Sequence, residues 1–337
     1  MQNSSLPVYL RIAALSMAAL SVVYVANNFL IFWLDWPGTN ILFADLGWFG
    51  LEPLRNPLAG NLPLLGWLQV LFYVGAVALI AFFVTRSQER TLIKDSEFLD
   101  AIVKFIIRSA FWAVLFIGIV DMAISFLRVE GLLVQTVGEE FAKELGRSAY
   151  RGAYIHFPLL LLSFVIGYFT RTLGFIWLAL LIVIAELMIV ITRFIFSYEQ
   201  AFMGDLVRFW YAALFLFASA YTLIEEGHVR VDILYTGFSE RGKAWSNVIG
   251  TLLLGLPLCW IILTRGLWDK SNLINAPLLT FEISQSGYGL YVKYLMAGFL
   301  LVYALSMMIQ FASYFLSNAA ILIREPGAHS HDEHLVL

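Results

Sequence analysis

Charge is scarce in this sequence. Of 337 residues only 13% are Asp, Glu, Lys or Arg, against about 25% in soluble domains, while 61% are hydrophobic. Mean hydropathy is +0.81. So few charged side chains cannot coat a globule of this size, which excludes a cytosolic enzyme and a disordered chain. Cysteine is nearly missing as well. Cys259 stands alone, so neither an internal disulfide nor a thiolate metal cluster can form. The net charge of -3 gives no argument for a nucleic-acid partner. HExxH, CxxC, a phosphate-cradling glycine loop and a Ser/His/Asp arrangement are all missing, so an enzyme reading would rest on scattered residues.

What is present is a series of apolar runs, and the lipid bilayer is the partner they imply. A spanning helix needs about 20 apolar residues. Runs 66–84, 152–170, 244–264 and 294–323 carry no charged residue. Run 12–34 contains Asn27 and Asn28, 109–127 contains Asp121, 172–192 contains Glu186, and 209–224 is long enough if Arg208 snorkels. Backbone groups must be satisfied inside lipid, and no run alternates like a barrel strand. The expected fold is an all-α polytopic membrane protein of about eight transmembrane helices.

Two boundaries need argument. Thr170, Arg171, Thr172 and Gly174 read as a tight turn dividing 152–192, where His156 and Pro158 open the first half with a late start or a kink. Run 12–34 reads as a true span, because Trp33, Asp35, Trp36 and Pro37 follow it rather than a cleavage site. Between the runs, 35–65 is a Pro/Gly/Trp loop at headgroup depth, 85–108 a basic connection, and 128–151 a solvated or interfacial helix. Lys and Arg are slightly denser on the side of the termini, which puts both termini in the cytoplasm.

Few residues offer chemistry. Asp121 and Glu186 are ionisable groups inside apolar helices, costly unless they face a partner or a water path. They read either as an ion or proton relay or as hydrogen-bonded groups that fix helix packing. The second is preferred, since neither has an evident basic partner in a neighbouring span, and each is expected to bond while protonated or to face a partner helix. His156 reads as an interfacial hydrogen-bonding residue. His329, His331 and His334 form a tail cluster able to trap a metal adventitiously. The densest polar segment is Glu225-Glu226-Gly227-His228-Val229-Arg230-Val231-Asp232. There Gly227 can end a helix, and His228, Arg230 and Asp232 alternate with valines to form one polar strip.

Gly-His-Val-Arg-Val-Asp after a membrane helix resembles the small permease subunit (DctQ type) of tripartite ATP-independent periplasmic (TRAP) transporters. Flanking elements are similar too: Arg193 before an aromatic and aliphatic helix end, Glu282 and Ser284 of a Glu-x-Ser element, and Lys293 ahead of the last span. Tyr294-Leu295-Met296-Ala297 stands where the family commonly has proline. The resemblance divides the chain into an N-terminal extension of about four spans (1–171), a DctQ-like four-helix domain (172–323) and a polar tail (324–337).

The resemblance further implies a bacterial inner-membrane protein that is not an enzyme. It would be a small subunit bracing a large permease, beside a periplasmic substrate-binding protein, in sodium-coupled import of organic anions, typically carboxylates. No cofactor is expected here, since sodium would bind the large subunit. Arg193, Gly227, His228, Arg230, Asp232, Glu282, Ser284 and Lys293 become candidate subunit-interface residues. The alternatives are a membrane-embedded enzyme or assembly factor using Asp121, Glu186 and His156, or a self-sufficient transporter.

Overall fold

The computed structural model describes residues 5–171, 174–198, 200–224, 235–283 and 289–328. Among these every regular element is helical. In chain order they are α1 (Leu6–Trp33), α2 (Thr39–Asp45), α3 (Leu62–Arg86), α4 (Leu92–Val129), α5 (Leu133–Val137), α6 (Glu139–Leu145) and α7 (Ser148–Arg151), then α8 (Phe157–Phe169), α9 (Phe175–Ile195), α10 (Met203–Ile224), α11 (Glu240–Gly250), α12 (Leu256–Leu267), α13 (Asn275–Thr280) and α14 (Lys293–Ile323). Among the described residues eight helices are long and apolar enough to cross a membrane, with α7–α8 and α11–α12 each counting as one. The eight apolar runs are thus recovered, including the break between α8 and α9.

Two of these crossings contain a π-helical turn, Gly152–His156 and Thr251–Gly255. Each is followed two residues on by a proline, Pro158 or Pro257. A proline inside a helix has no N–H to donate and its ring clashes with the carbonyl four residues back. A π turn bonds over five residues instead and lets the helix continue past it. At Pro158 the sequence suggested a late start or a kink, and a local widening is what occurs.

The connections differ from expectation in one place. The stretch 85–108 is not a loop, because α4 already begins at Leu92. Leu92, Leu99, Val103, Ile107 and Phe111 recur at helical spacing and are all buried. This stripe outweighs the interspersed Lys94, Lys104 and Arg108. The stretch 128–151 forms the short helices α5 to α7, whose Leu133, Ala142 and Leu145 make a small core with Ile124, Leu127, Tyr150 and Ile155. Within 35–65, Phe43 stacks on Trp48, Phe49 meets both edge-on, and Trp48 meets Trp67 of α3 edge-on.

The chain forms two compact units, each discontinuous in sequence. The first comprises residues 1–100, 229–264 and 307–337. Its polar interior explains why asparagine sits in an apolar run: Asn27 Oδ1 of α1 accepts from Gln69 Nε2 of α3 (2.8 Å), and Gln69 Oε1 accepts from Gly38 N (2.9 Å). At the other end of α1, buried Arg11 donates to Asp95 Oδ2 (2.6 Å) and to the Ser87 carbonyl (2.7 Å), while Arg90 also pairs with Asp95. Ser313 Oγ of α14 donates to Asp100 Oδ1 (2.6 Å), which also accepts from Gln310 Nε2 (3.0 Å).

The second unit comprises residues 101–228 and 265–306. Phe209 and Phe217 of α10 pack on Phe299 of α14 with ring centroids 5.1 and 5.0 Å apart. Trp210 donates to the Val114 carbonyl of α4 (3.3 Å). Helices α4 and α8 touch where Gly167 lies against Ser109. A Cβ there would stand 3.1 Å from Ser109 backbone atoms, so only glycine permits this approach.

Candidate functional site: a buried charge network in the second unit

The inward stripe of α4 runs Val114, Ile117, Asp121 and Ser125, all buried. One carboxylate therefore faces the interior at regular helical spacing. Arg151 closes α7 and His156 closes the π turn, five residues later. In an α-helix these positions would diverge by about 140°. The π turn, bonding i to i+5, brings them to one side. The proline that sequence analysis connected with a kink thus coincides with the backbone feature that assembles the site.

Arg151 Nη1 donates to Asp121 Oδ1 (2.7 Å) and Ser125 Oγ (3.3 Å), and its Nε donates to the Leu145 carbonyl (2.6 Å). His156 Nε2 lies 3.2 Å from the same carboxylate oxygen, while its Nδ1 lies 2.8 Å from the Tyr294 hydroxyl. The carboxylate can only accept, so Nε2 donates to Asp121, and Nδ1 shares a hydrogen bond with the Tyr294 hydroxyl. Asp121 Oδ2 accepts from Tyr291 N (2.7 Å). The Tyr291 ring lies 4.1 Å below the Arg151 guanidinium and 4.6 Å below that of Arg128, a cation–π contact on each. Arg128 also donates to the Gly289 carbonyl (2.9 Å), and Tyr291 Oη to the Gly146 carbonyl (3.1 Å). Arg151 and Asp121 are fully buried. Within this network Arg151 Nη2 and Arg128 Nε are buried without a hydrogen-bond partner among the described residues.

This corrects the reading of Asp121. It has a basic partner, Arg151, together with a histidine and a backbone N–H, so it is not a lone protonated carboxyl. Three protein donors occupy its two oxygens, and the arrangement holds α4, α7 and the lead-in to α14 together. His156 is an interior residue rather than an interfacial one. The sequence analysis missed Arg151, Arg128, Tyr291 and Tyr294. The available signal was a cation at the very start of one apolar run and an anion within the preceding run.

Glu186 does not join this set. It is exposed on α9, among exposed Val183, Leu187 and Val190. The proposed acid/base trio of Asp121, Glu186 and His156 therefore reduces to two hydrogen-bonded members.

The motif residues fare differently from one another. Glu282 and Lys293 meet in an ion pair of 2.6 Å, about half exposed on both sides. The adjacent Tyr294 N donates to the Glu282 carbonyl (3.0 Å). Arg193 lies exposed in the last turn of α9, where a cation suits the helix C-terminus. Gly227, His228, Arg230, Asp232 and Ser284 lie outside the described residues, as do His329, His331 and His334. Among the described residues no group of three or more His, Cys, Asp or Glu is placed to hold a metal ion.

A further contact ties the end of α4 to the α9–α10 turn. Tyr198 Oη and Gln200 Nε2 both donate to Glu130 Oε1 (2.5 and 2.7 Å), which holds that carboxyl below its ordinary value.

Among known proteins, residues 180–320 match the family model described as tripartite ATP-independent periplasmic transporters, DctQ component. Searches of curated proteins and of solved structures give no significant match. The matched region holds Tyr291, Tyr294, Glu282 and Lys293, whereas Asp121, Arg151 and His156 precede it. The network thus binds helices of the N-terminal extension to the matched region inside one compact unit. Residues 180–320 of this eight-span helical chain thus carry the signature of the DctQ component of TRAP transporters, the small permease subunits.

Proposed function

We propose that this chain is the small membrane subunit of a TRAP-type secondary transporter. In this reading it braces a separate large permease, which carries out sodium-coupled import of organic anions delivered by a periplasmic binding protein. The observation that carries the reading is the family match across α9, α10, α11–α12 and α14. The bracing role is supported by the site chemistry. The buried carboxylate Asp121 is engaged by Arg151, His156 and Tyr291, so it fixes helices and presents no free ligand oxygen. The protein would reside in the bacterial inner membrane. Carboxylates are the favoured substrate class, and selection among them would fall to the binding protein.

Affinity purification of this chain from detergent-solubilised membranes tests the reading. A large TRAP permease is expected to co-purify, and uptake of a carboxylate in cells or vesicles is expected to need both. Uptake by vesicles containing this chain alone would show a self-sufficient transporter instead.

In this reading both termini lie in the cytoplasm. Reporter fusions after Arg90, between α3 and α4, and after Ser239, ahead of α11, are therefore both expected to report cytoplasm. A periplasmic signal at either position refutes that orientation.

A further inference from the structure

Helix α9 is the least covered of the second unit's long helices in one telling respect: it places a carboxylate outward at the middle of a membrane span. Glu186 lies eleven residues after Phe175 and nine before Ile195. At 1.5 Å per residue that is roughly 15 Å from either end, the depth of the bilayer centre. It has no hydrogen-bond or ion-pair partner among the described residues. Around it Val183, Leu187, Met188 and Val190 are exposed, and only Leu178 and Ala185 of α9 are buried, toward the unit's interior. Asp121 shows how this fold treats an intramembrane carboxylate that it uses internally: it surrounds it with donors. Glu186 gets none, and an acidic group left in hydrocarbon is costly.

We infer that the outward face of α9 centred on Glu186 docks a transmembrane segment of the large permease that presents a cationic or hydrogen-bond-donating side chain at mid-membrane depth. The inference rests on the proposed small-subunit role and names the surface that serves it. Charge complementarity selects this occupant over two others. Lipid tails offer no donor. A second copy related by a two-fold axis along the membrane normal would set Glu186 against Glu186 at the same depth, two like groups with no counter-ion. A partner helix bearing a donor satisfies the carboxylate while its apolar flanks cover Val183, Leu187 and Val190.

The test uses the full chain co-expressed with the large permease. Glu186→Leu removes the carboxylate and makes α9 easier to insert, so its membrane level reports insertion separately from docking. With that level at or above the parent's, permease recovered with Glu186→Leu is expected to fall about tenfold or more, and with Glu186→Gln by less, since the amide still bonds. A photo-crosslinking residue at Leu187 is expected to capture the large permease, and one at buried Phe217 to capture none. Parental recovery with Glu186→Leu overturns the inference. So does a Leu187 crosslink that yields only lipid or a product of two copies of this chain. If the unaltered chain recovers no large permease, the small-subunit reading fails along with it. A parent complex that survives Glu186→Leu sinks the docking face alone.

Discussion

Asp121→Asn is expected to destabilise the detergent-solubilised chain by about 3–5 kcal/mol, because it strips a fully buried arginine of its counter-ion. The reverse change should cost less. Arg151→Met leaves a carboxylate that can take up a proton and still bond His156 and Tyr291 N, whereas a guanidinium cannot shed its charge. The Asp121→Asn/Arg151→Met double variant is therefore expected to be more stable than the Asp121→Asn single. The coupling between the two sites should reach about 1–3 kcal/mol. Thermal unfolding of the four purified forms, followed by loss of the monodisperse peak on size exclusion, reads the cycle. Strict additivity would mean that the 2.7 Å contact carries no pairwise energy.

In the first unit, the expected outcome turns on which arginine has an alternative. Asp95 serves Arg11 and Arg90 at once, with Arg11 1% exposed and Arg90 34% exposed. Asp95→Asn leaves Arg11 buried with only neutral partners, the Ser87 carbonyl and hydroxyl. A loss of about 3–5 kcal/mol is expected. Arg90→Gln should cost no more than about 1 kcal/mol, since water and headgroups screen the exposed partner and Arg11 still neutralises Asp95. Equal losses in the two variants would show that burial does not govern this triad. The same unfolding assay separates the outcomes.

Both effects concern charges inside apolar helices, where sequence reading was weakest. Asp121 stood out as an isolated acid, but Arg151 was counted with the solvated residues of 128–151. Thirty residues separate them, and no local pattern joins them. The π turn at Gly152–His156 that turns Arg151 and His156 to one side was signalled only indirectly, by Pro158. Asn27 weakened the first span on paper, yet it is bonded to Gln69 of a helix forty-two residues on. The start of α4 was misplaced because Lys94, Lys104 and Arg108 obscured a buried stripe that needed the neighbouring helices to reveal it. Glu282 and Lys293 were singled out as separate motif elements, and their pairing is a contact that only the tertiary structure shows.

The sequence by itself determined the membrane class, the eight crossings, the break at Thr170–Arg171 and the family signature within residues 180–320. Each depends on a sum or an order along the chain: hydropathy over about 20 residues, or motif residues in succession. The tertiary structure alone decided which intramembrane carboxylate is partnered and which faces out. Asp121 and Glu186 look alike in sequence, each a single acid in an apolar run. The cost of a charge in low dielectric depends on the atoms within a few ångströms of it, and those atoms belong to residues far away along the chain.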